Sequence, residues 1–228
     1  MISQIGVGPR LTVSRIASLG VSDTVRHPLF ARFYAWLAPI EDRAGVAKIR
    51  RDLVAGLRGR VLELGVGTGL SFPHYPPEVE QLVAVEPEPT MRANAATAAR
   101  EVALDVQLVD GTADALPVPD ASVDAAVISQ VLCSVPDQAR ALAELRRVLR
   151  PGGELRFYEH VISPKAPGRH VQRSLDATLW PRTMGGCHLT RDTAAAIAAA
   201  GFEIGELRRF RIGPSPASPH ILGAAFAP

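Results

Sequence analysis

In the segment Val61-Leu62-Glu63-Leu64-Gly65-Val66-Gly67-Thr68-Gly69, a short apolar run closes on an acid and then meets three glycines at alternate positions. The run Arg60 to Leu64 reads as a buried strand, and the glycines as the turn that leaves it. Without a Cβ the backbone turns sharply, and a ligand can lie against it. The spacing is E-x-G-x-G-x-G. The dinucleotide fingerprint is G-x-G-x-x-G, with a pyrophosphate held at the start of the next helix. An acid ahead of the first glycine competes with a phosphate and suits a cationic or hydroxylated ligand. No triphosphate lysine follows, which excludes a P-loop.

Downstream, apolar runs alternate with helical patterns. Strands are predicted at Gln81 to Val85, Val106 to Val109, Val123 to Ser129 and Glu154 to His160. Helices are predicted at Thr90 to Glu101 and from the cap Asp137 to about Leu149, a helix that Pro151-Gly152-Gly153 stops. Thr190 is read as the cap of a helix over Ala194 to Ala200 that Gly201 ends. Phe202 to Phe210 and Ile221 to Phe226 are two consecutive strands. Upstream, residues 1 to about 25 look irregular. His27 to Leu37 carries Leu29, Phe30, Phe33, Tyr34, Trp36 and Leu37 on one helical face, read as core, with Pro39 as the stop. Glu41 to Leu57 is a second helical stretch. Alternating strands and helices predict an α/β fold, a mainly parallel seven-stranded sheet covered by helices on both faces. The two terminal strands predict one antiparallel member. Residues 1–58 form an N-terminal helical extension and 59–228 the main domain.

The chain has 228 residues, 47% of them hydrophobic, and a net charge of +2 from 25 basic and 23 acidic residues. That suits one full core, and it is too balanced to imply nucleic-acid or membrane binding. The runs Arg146-Arg147 and Arg208-Arg209 read as solvated faces. No apolar stretch approaches the roughly 18 residues of a membrane span. Met1 to Val25 is too interrupted for a signal peptide. Cys133 and Cys187 make no disulfide framework, and a reducing cytoplasm is the expected setting. Oligomeric state leaves no mark on the sequence.

Ligands of such sheets bind beyond the carboxyl ends of the strands. Four ends carry suitable chemistry: the glycine turn, Glu86 as an acceptor for two ribose hydroxyls, Asp110-Gly111-Thr112-Ala113 for an adenine edge, and Ser129-Gln130-Val131-Leu132 at the reactive end.

With these motifs on the page, residues 60 to 160 resemble a class I S-adenosylmethionine-dependent methyltransferase with a Rossmann-like sheet. Further marks are Leu116-Pro117-Val118, Ser122-Val123-Asp124 and Leu145 to Gly153. The resemblance implies S-adenosyl-L-methionine as cofactor. Glu63 and the turn of Gly65, Gly67 and Gly69 would line its methionine portion. Glu86 would hold the ribose, with Pro87 and Met91 near the adenine. Asp110, Gly111, Thr112 and Ala113 would contact the adenine edge, and Gln130 the sulfonium. Tyr34 on the first helix would close as a lid on the methionine carboxylate. Val131 to Val135, Glu159-His160-Val161, Gly186 to Arg191 and Pro219 to Gly223 resemble the thiol-methylating branch and its bacterial relatives. The animal members of that branch carry a hydrophobic membrane anchor that this sequence lacks.

His160, at the end of the fifth strand, is the candidate catalytic residue, as a base or as an acceptor-orienting group; a structural histidine is the equal alternative. His188 reads as packing and His74 as surface. Cys133 reads as a core thiol among Val131, Leu132 and Val135. The cysteines and histidines lack close ligand spacing, so no metal is expected. The function expected is methyl transfer to a small apolar molecule with a thiol, hydroxyl or other heteroatom nucleophile. The alternatives are an RNA or protein methyltransferase and a non-catalytic cofactor-binding module. Strand four lacks the Asn/Asp-Pro-Pro-aromatic loop used on planar amino groups, which counts against nucleic acid as partner.

Overall fold

A computed structural model describes residues 28–228 of the chain. The expectation for residues 1 to 25 lies outside the described residues, as do the side chains of Leu29 and Phe30.

The elements follow the order α1 (Pro28–Glu41), α2 (Ala47–Val54), β1 (Gly59–Leu64), β2 (Val79–Val85), α3 (Pro89–Ala99), β3 (Val106–Val109), β4 (Val123–Ser129), α4 (Gln138–Val148), β5 (Leu149–His160), α5 (Ala166–Asp176), α6 (Trp180–Thr183), α7 (Thr193–Ala199), β6 (Glu203–Arg211) and β7 (Pro219–Phe226). One seven-stranded sheet runs β3-β2-β1-β4-β5-β7-β6. The pairs among β1 to β5 are parallel. β7 runs antiparallel between β5 and β6. The predicted sheet, with its one reversed strand, is what the chain forms.

Alternation along each strand sorts side chains onto two faces. Leu62, Val83, Ile128 and Phe157 point to one core, closed by Leu142 and Leu145 of α4 and Ile197 of α7. Val61, Leu82, Val127 and Tyr158 point to the other, closed by Leu53 and Val54 of α2 and Ala95 of α3. Strands buried on both faces are continuous apolar runs for this reason. β1 lies between β2 and β4, whose connections leave in opposite directions. The crevice at the carboxyl end of β1 is therefore the switch point of the sheet.

Several local expectations change. Pro39 does not end the first helix, which continues to Glu41; the break falls at Gly45, whose φ of 119° is open to glycine and costly for other residues. That helix does not bury an aromatic face either, because Phe33 is 46% and Trp36 66% exposed. Thr190 caps nothing. Asp192 is the cap of α7, accepting from the Ala195 amide, because the Thr190 hydroxyl and amide are already taken by Asp176. Arg147 is no solvated bystander: it binds Glu144, Asp120 and the carbonyls of Leu116 and Val118. It thereby pins the loop between β3 and β4 to α4. Helices α5 and α6 were not anticipated.

Candidate active site

The glycine turn leaves β1 with φ of 69° at Gly65, 57° at Gly67 and 83° at Gly69. A Cβ at Gly65 would sit 2.6 Å from a methyl of Val131, so this glycine lets the turn touch the loop after β4. A Cβ at Gly67 would meet only the Tyr34 ring, at 3.5 Å. The Tyr34 ring of α1 thus lies next to the glycine turn.

Glu86 ends β2 and is buried. Its Oε2 accepts from the Gly67 amide at 2.9 Å and its Oε1 from the Glu88 amide at 3.0 Å. Burial pushes its pKa up to about 7 against those two bonds. Glu88 caps α3 by accepting from the Met91 amide at 2.7 Å, which fixes Pro87 and the buried Met91 beside the acid. Arg92 staples two strand ends together. It donates to the carbonyls of Glu86 and Pro87 at 2.7 and 3.0 Å, and to Asp110 at 3.0 Å. Asp110 is thus held in place after β3 with its second oxygen spare. Gly111 packs under Pro117, where a Cβ would come within 2.8 Å. Thr112 pairs with Ala115 in a short bridge, and its hydroxyl holds the Asp114 carboxyl below its usual range. Ala113 rests on the core.

Glu63 sits behind the turn, 1% exposed, and accepts from the Tyr75 hydroxyl at 3.0 Å. Burial raises its pKa to about 7, opposed by Ser71 and Tyr75 and by the Arg50 charge. Arg50 is itself buried, donates to Asp42 at 2.8 Å and engages the Tyr34 phenol. Arg50, Asp42 and Tyr75 were missed in the sequence. The clue for Arg50 was a basic residue on the inner face of α2.

These residues fit the expected cofactor. Glu86 retains lone pairs for a diol, the Gly67 position has room that a side chain would take, and the acid ahead of the glycines suits a positive ligand.

On the other side of the crevice, Gln130 takes a positive φ of 57°. Its amide donates to the Tyr158 carbonyl at 2.7 Å and its side chain to the Tyr158 hydroxyl at 3.2 Å. A non-glycine residue in this conformation marks a site where backbone strain serves position. The buried Glu159 holds the next turn by accepting from the amides of Val131 and Leu132 at 2.7 and 3.0 Å, and burial lifts its pKa to about 7. His160 is 5% exposed, with Nε2 3.0 Å from Sγ of Cys187. The Trp180 indole donates to the same sulfur at 3.4 Å. Hydrogen bonds with Cys133 and His160 lower the Cys187 thiol, whereas its bond with Cys187 and burial push Cys133 up. His160 is raised on balance: burial opposes its charge, but Cys187 outweighs that.

Cys133 is buried, as expected of a core thiol, yet its environment is not purely apolar. Its sulfur, that of Cys187 and a ring nitrogen of His160 lie within 4.8 Å of one another. Close sequence spacing is not needed for this, because β4, β5 and the loop before α7 each deliver one donor. His188 donates its amide to the Cys133 carbonyl at 2.9 Å and leaves its ring half-buried near Asp176, a packing role. His74 is half-buried after the glycine turn.

A family model described as a methyltransferase domain matches residues 62–157. A human protein named thiol S-methyltransferase TMT1B is 31% identical over 230 residues, covering 94% of this chain and 93% of that protein. Among solved structures, an S-adenosylmethionine-dependent methyltransferase from Aquifex aeolicus superposes with a TM-score of 0.60 at 16% identity, covering 85% of this chain and 98% of that one. The cyclase SpnF superposes at 0.65 with 25% identity, covering 87% and 94%. The strand order and the match along nearly the whole chain agree: it belongs to the class I S-adenosylmethionine-dependent methyltransferases.

Proposed function

We propose that the chain methylates a small apolar molecule at a thiol, hydroxyl or other heteroatom, with a thiol as the leading acceptor, in a reducing cytoplasm. One observation carries this reading. The match to the human thiol S-methyltransferase extends past the common domain, through the elements after β5 that build the acceptor side.

When bound, S-adenosylmethionine supplies a methyl carbon made electrophilic by its sulfonium. The chain's task is alignment and exclusion of water. Gly65 to Gly69, Glu63 and Tyr34 enclose the methionine end. Glu86 accepts from the ribose hydroxyls, and Asp110 to Ala113 border the base. Gln130, locked by Tyr158, meets the sulfonium side. A thiol acceptor has a reference pKa of about 8.5 and needs only modest help to lose its proton. His160, buried beside the acceptor position, orients the sulfur or takes that proton. A phenol, at about 10, would lean on it harder. Among the described residues no helix is long and apolar enough to cross a membrane.

A panel of small thiols, phenols, amines and RNA with labelled cofactor tests the reading. Methylated thiol is the expected product, and label on RNA alone would overturn it. His160→Ala should lose methyl transfer while binding the cofactor normally; wild-type kinetics would remove His160 from the acceptor side.

A further inference from the structure

We propose that Cys133, His160 and Cys187 form a binding site for a thiophilic divalent cation, zinc by its ligand chemistry. Two sulfurs and one imidazole nitrogen, all within 4.8 Å, converge from three separate elements. That donor set is the one zinc prefers, and hard cations such as magnesium or calcium reject it. The donors of a tetrahedral zinc lie roughly 3.5–3.8 Å apart, given bond lengths of about 2.0 to 2.3 Å. The Nε2–Sγ distance of 3.0 Å and the 4.8 Å outer limit bracket that range. A cation would therefore seat with side-chain shifts on the order of 1 Å.

The cage is built rather than incidental. Glu159 clamps the Val131 and Leu132 amides, which fixes the turn that carries Cys133. Arg191 donates to the carbonyls of Leu132 and Val135 at 2.8 and 2.6 Å, holding the other side of that turn. The His188 amide bonds the Cys133 carbonyl, tying the two cysteine loops together. Asp176 accepts from the amides of Leu189 and Thr190 and from the Thr190 hydroxyl, which anchors the stretch after Cys187. The Trp180 indole N–H aimed at Sγ of Cys187 is the kind of outer contact that tunes a metal thiolate. An ion pair between His160 and Cys187 would leave Cys133 without a purpose, and a disulfide would leave out His160. A cation uses all three. Three protein ligands leave a fourth position for water or another ligand, the pattern of reactive zinc rather than structural zinc. Binding needs two thiolates and a neutral imidazole, so whatever protons the two cysteines and His160 still hold pass to solvent, and no oxidation state changes. In the ion-loaded chain His160 is a ligand, and the base role described above belongs to the metal-free chain alone. The inference does not depend on which acceptor the enzyme methylates.

Cobalt(II) is the probe. The untagged full chain, reduced and stripped with chelator, is titrated with cobalt and then with zinc. The expected result is a thiolate-to-cobalt charge-transfer absorption that saturates at one ion per chain and that zinc erases. Cys133→Ser, Cys187→Ser and His160→Gln should each weaken cobalt binding by at least about tenfold while still binding S-adenosylhomocysteine, which shows that they fold. A reduced wild-type chain that binds S-adenosylhomocysteine yet gives no such absorption would overturn the proposal. Survival of the absorption in Cys187→Ser would overturn it too, by placing the ion elsewhere. Loss of both thiols on mild oxidation, without any cobalt spectrum beforehand, would assign the pair to a disulfide instead.

Discussion

The Gly67 amide donates to Oε2 of Glu86 at 2.9 Å, joining the turn after β1 to the acid that ends β2. The Gly65 and Val66 amides, both on the Val85 carbonyl, join the same two segments, so the turn and the acid are set relative to each other by three bonds. Glu86→Ala removes both the Gly67 bond and the proposed acceptor for the ribose. It should raise the cofactor Kd by at least about tenfold, because a lost hydrogen bond to a charged group costs about 1.5–3 kcal/mol. Calorimetry checks this, and unchanged affinity would withdraw the ribose assignment.

Glu63 and Glu86 both have pKa values raised by burial from 4.5 to about 7. In that window the folded chain holds protons that the unfolded chain has released. Stability is therefore full below about pH 4.5 and is lost as the pH rises through about 7, where it levels off. Denaturant titrations of the cofactor-free chain between about pH 5 and pH 8 should show the decline, and Glu63→Gln should make it shallower, the remainder coming from Glu86 and Glu159. Stability that climbs across this interval would contradict the assignment.

The proposed ribose contact would have the opposite dependence, since an ionised Glu86 accepts from a diol more strongly than a protonated one. Affinity for S-adenosylhomocysteine should tighten as the pH passes about 7. Glu86→Gln should abolish that dependence; a variant that keeps it would trace the effect to another group.

Two glycines in the same turn should respond differently. An alanine at Gly65 must adopt φ of 69° and place its Cβ 2.6 Å from Val131. The left-handed conformation costs about 1–2 kcal/mol and the overpacking about 1–3 kcal/mol more. Gly67→Ala meets only the first cost, its nearest neighbour being the Tyr34 ring at 3.5 Å. Thermal melts should show the larger loss for Gly65→Ala, with Gly67→Ala acting mainly on cofactor affinity. Equal melting points would mean that the Val131 contact yields easily.

Asp176 touches no reacting group, yet it fastens the Leu189 and Thr190 amides at 2.8 and 3.0 Å. Asp176→Ala should cost about 1–3 kcal/mol of stability through the orphaned donors. It should also slow methyl transfer by freeing the Cys187 loop, with cofactor affinity kept. A rate equal to wild type would show that this loop does not position the acceptor side.

Strand ends were the most legible part of the chain. β3 and β4 begin and end where apolar runs meet acids or turn residues, at 106–109 and 123–129. Glu63, Glu86, Asp110 and Gln130 lie at or just after the ends of β1, β2, β3 and β4, where the sequence put them. The pairings that hold them could not be read from it. Arg92 reaches Asp110 across 18 residues and Arg191 reaches Leu132 across 59. The Cys133, His160 and Cys187 cluster arises only when three loops close together, and no local period signals it. Pro39 misled because the helix runs through it to Glu41, although a proline there forfeits a backbone hydrogen bond, and the break falls at Gly45 instead. Trp36 misled because apolar spacing reports a face without reporting whether anything covers it.

The placement of β7 between β5 and β6 has a consequence for synthesis. As the nascent polypeptide leaves the ribosome, β6 emerges before the strand it must pair with. The open rim of β5 is the wrong berth for it, since that rim belongs to residues not yet translated. Until they arrive, β6 has only water for its backbone groups, and the sheet is completed from within.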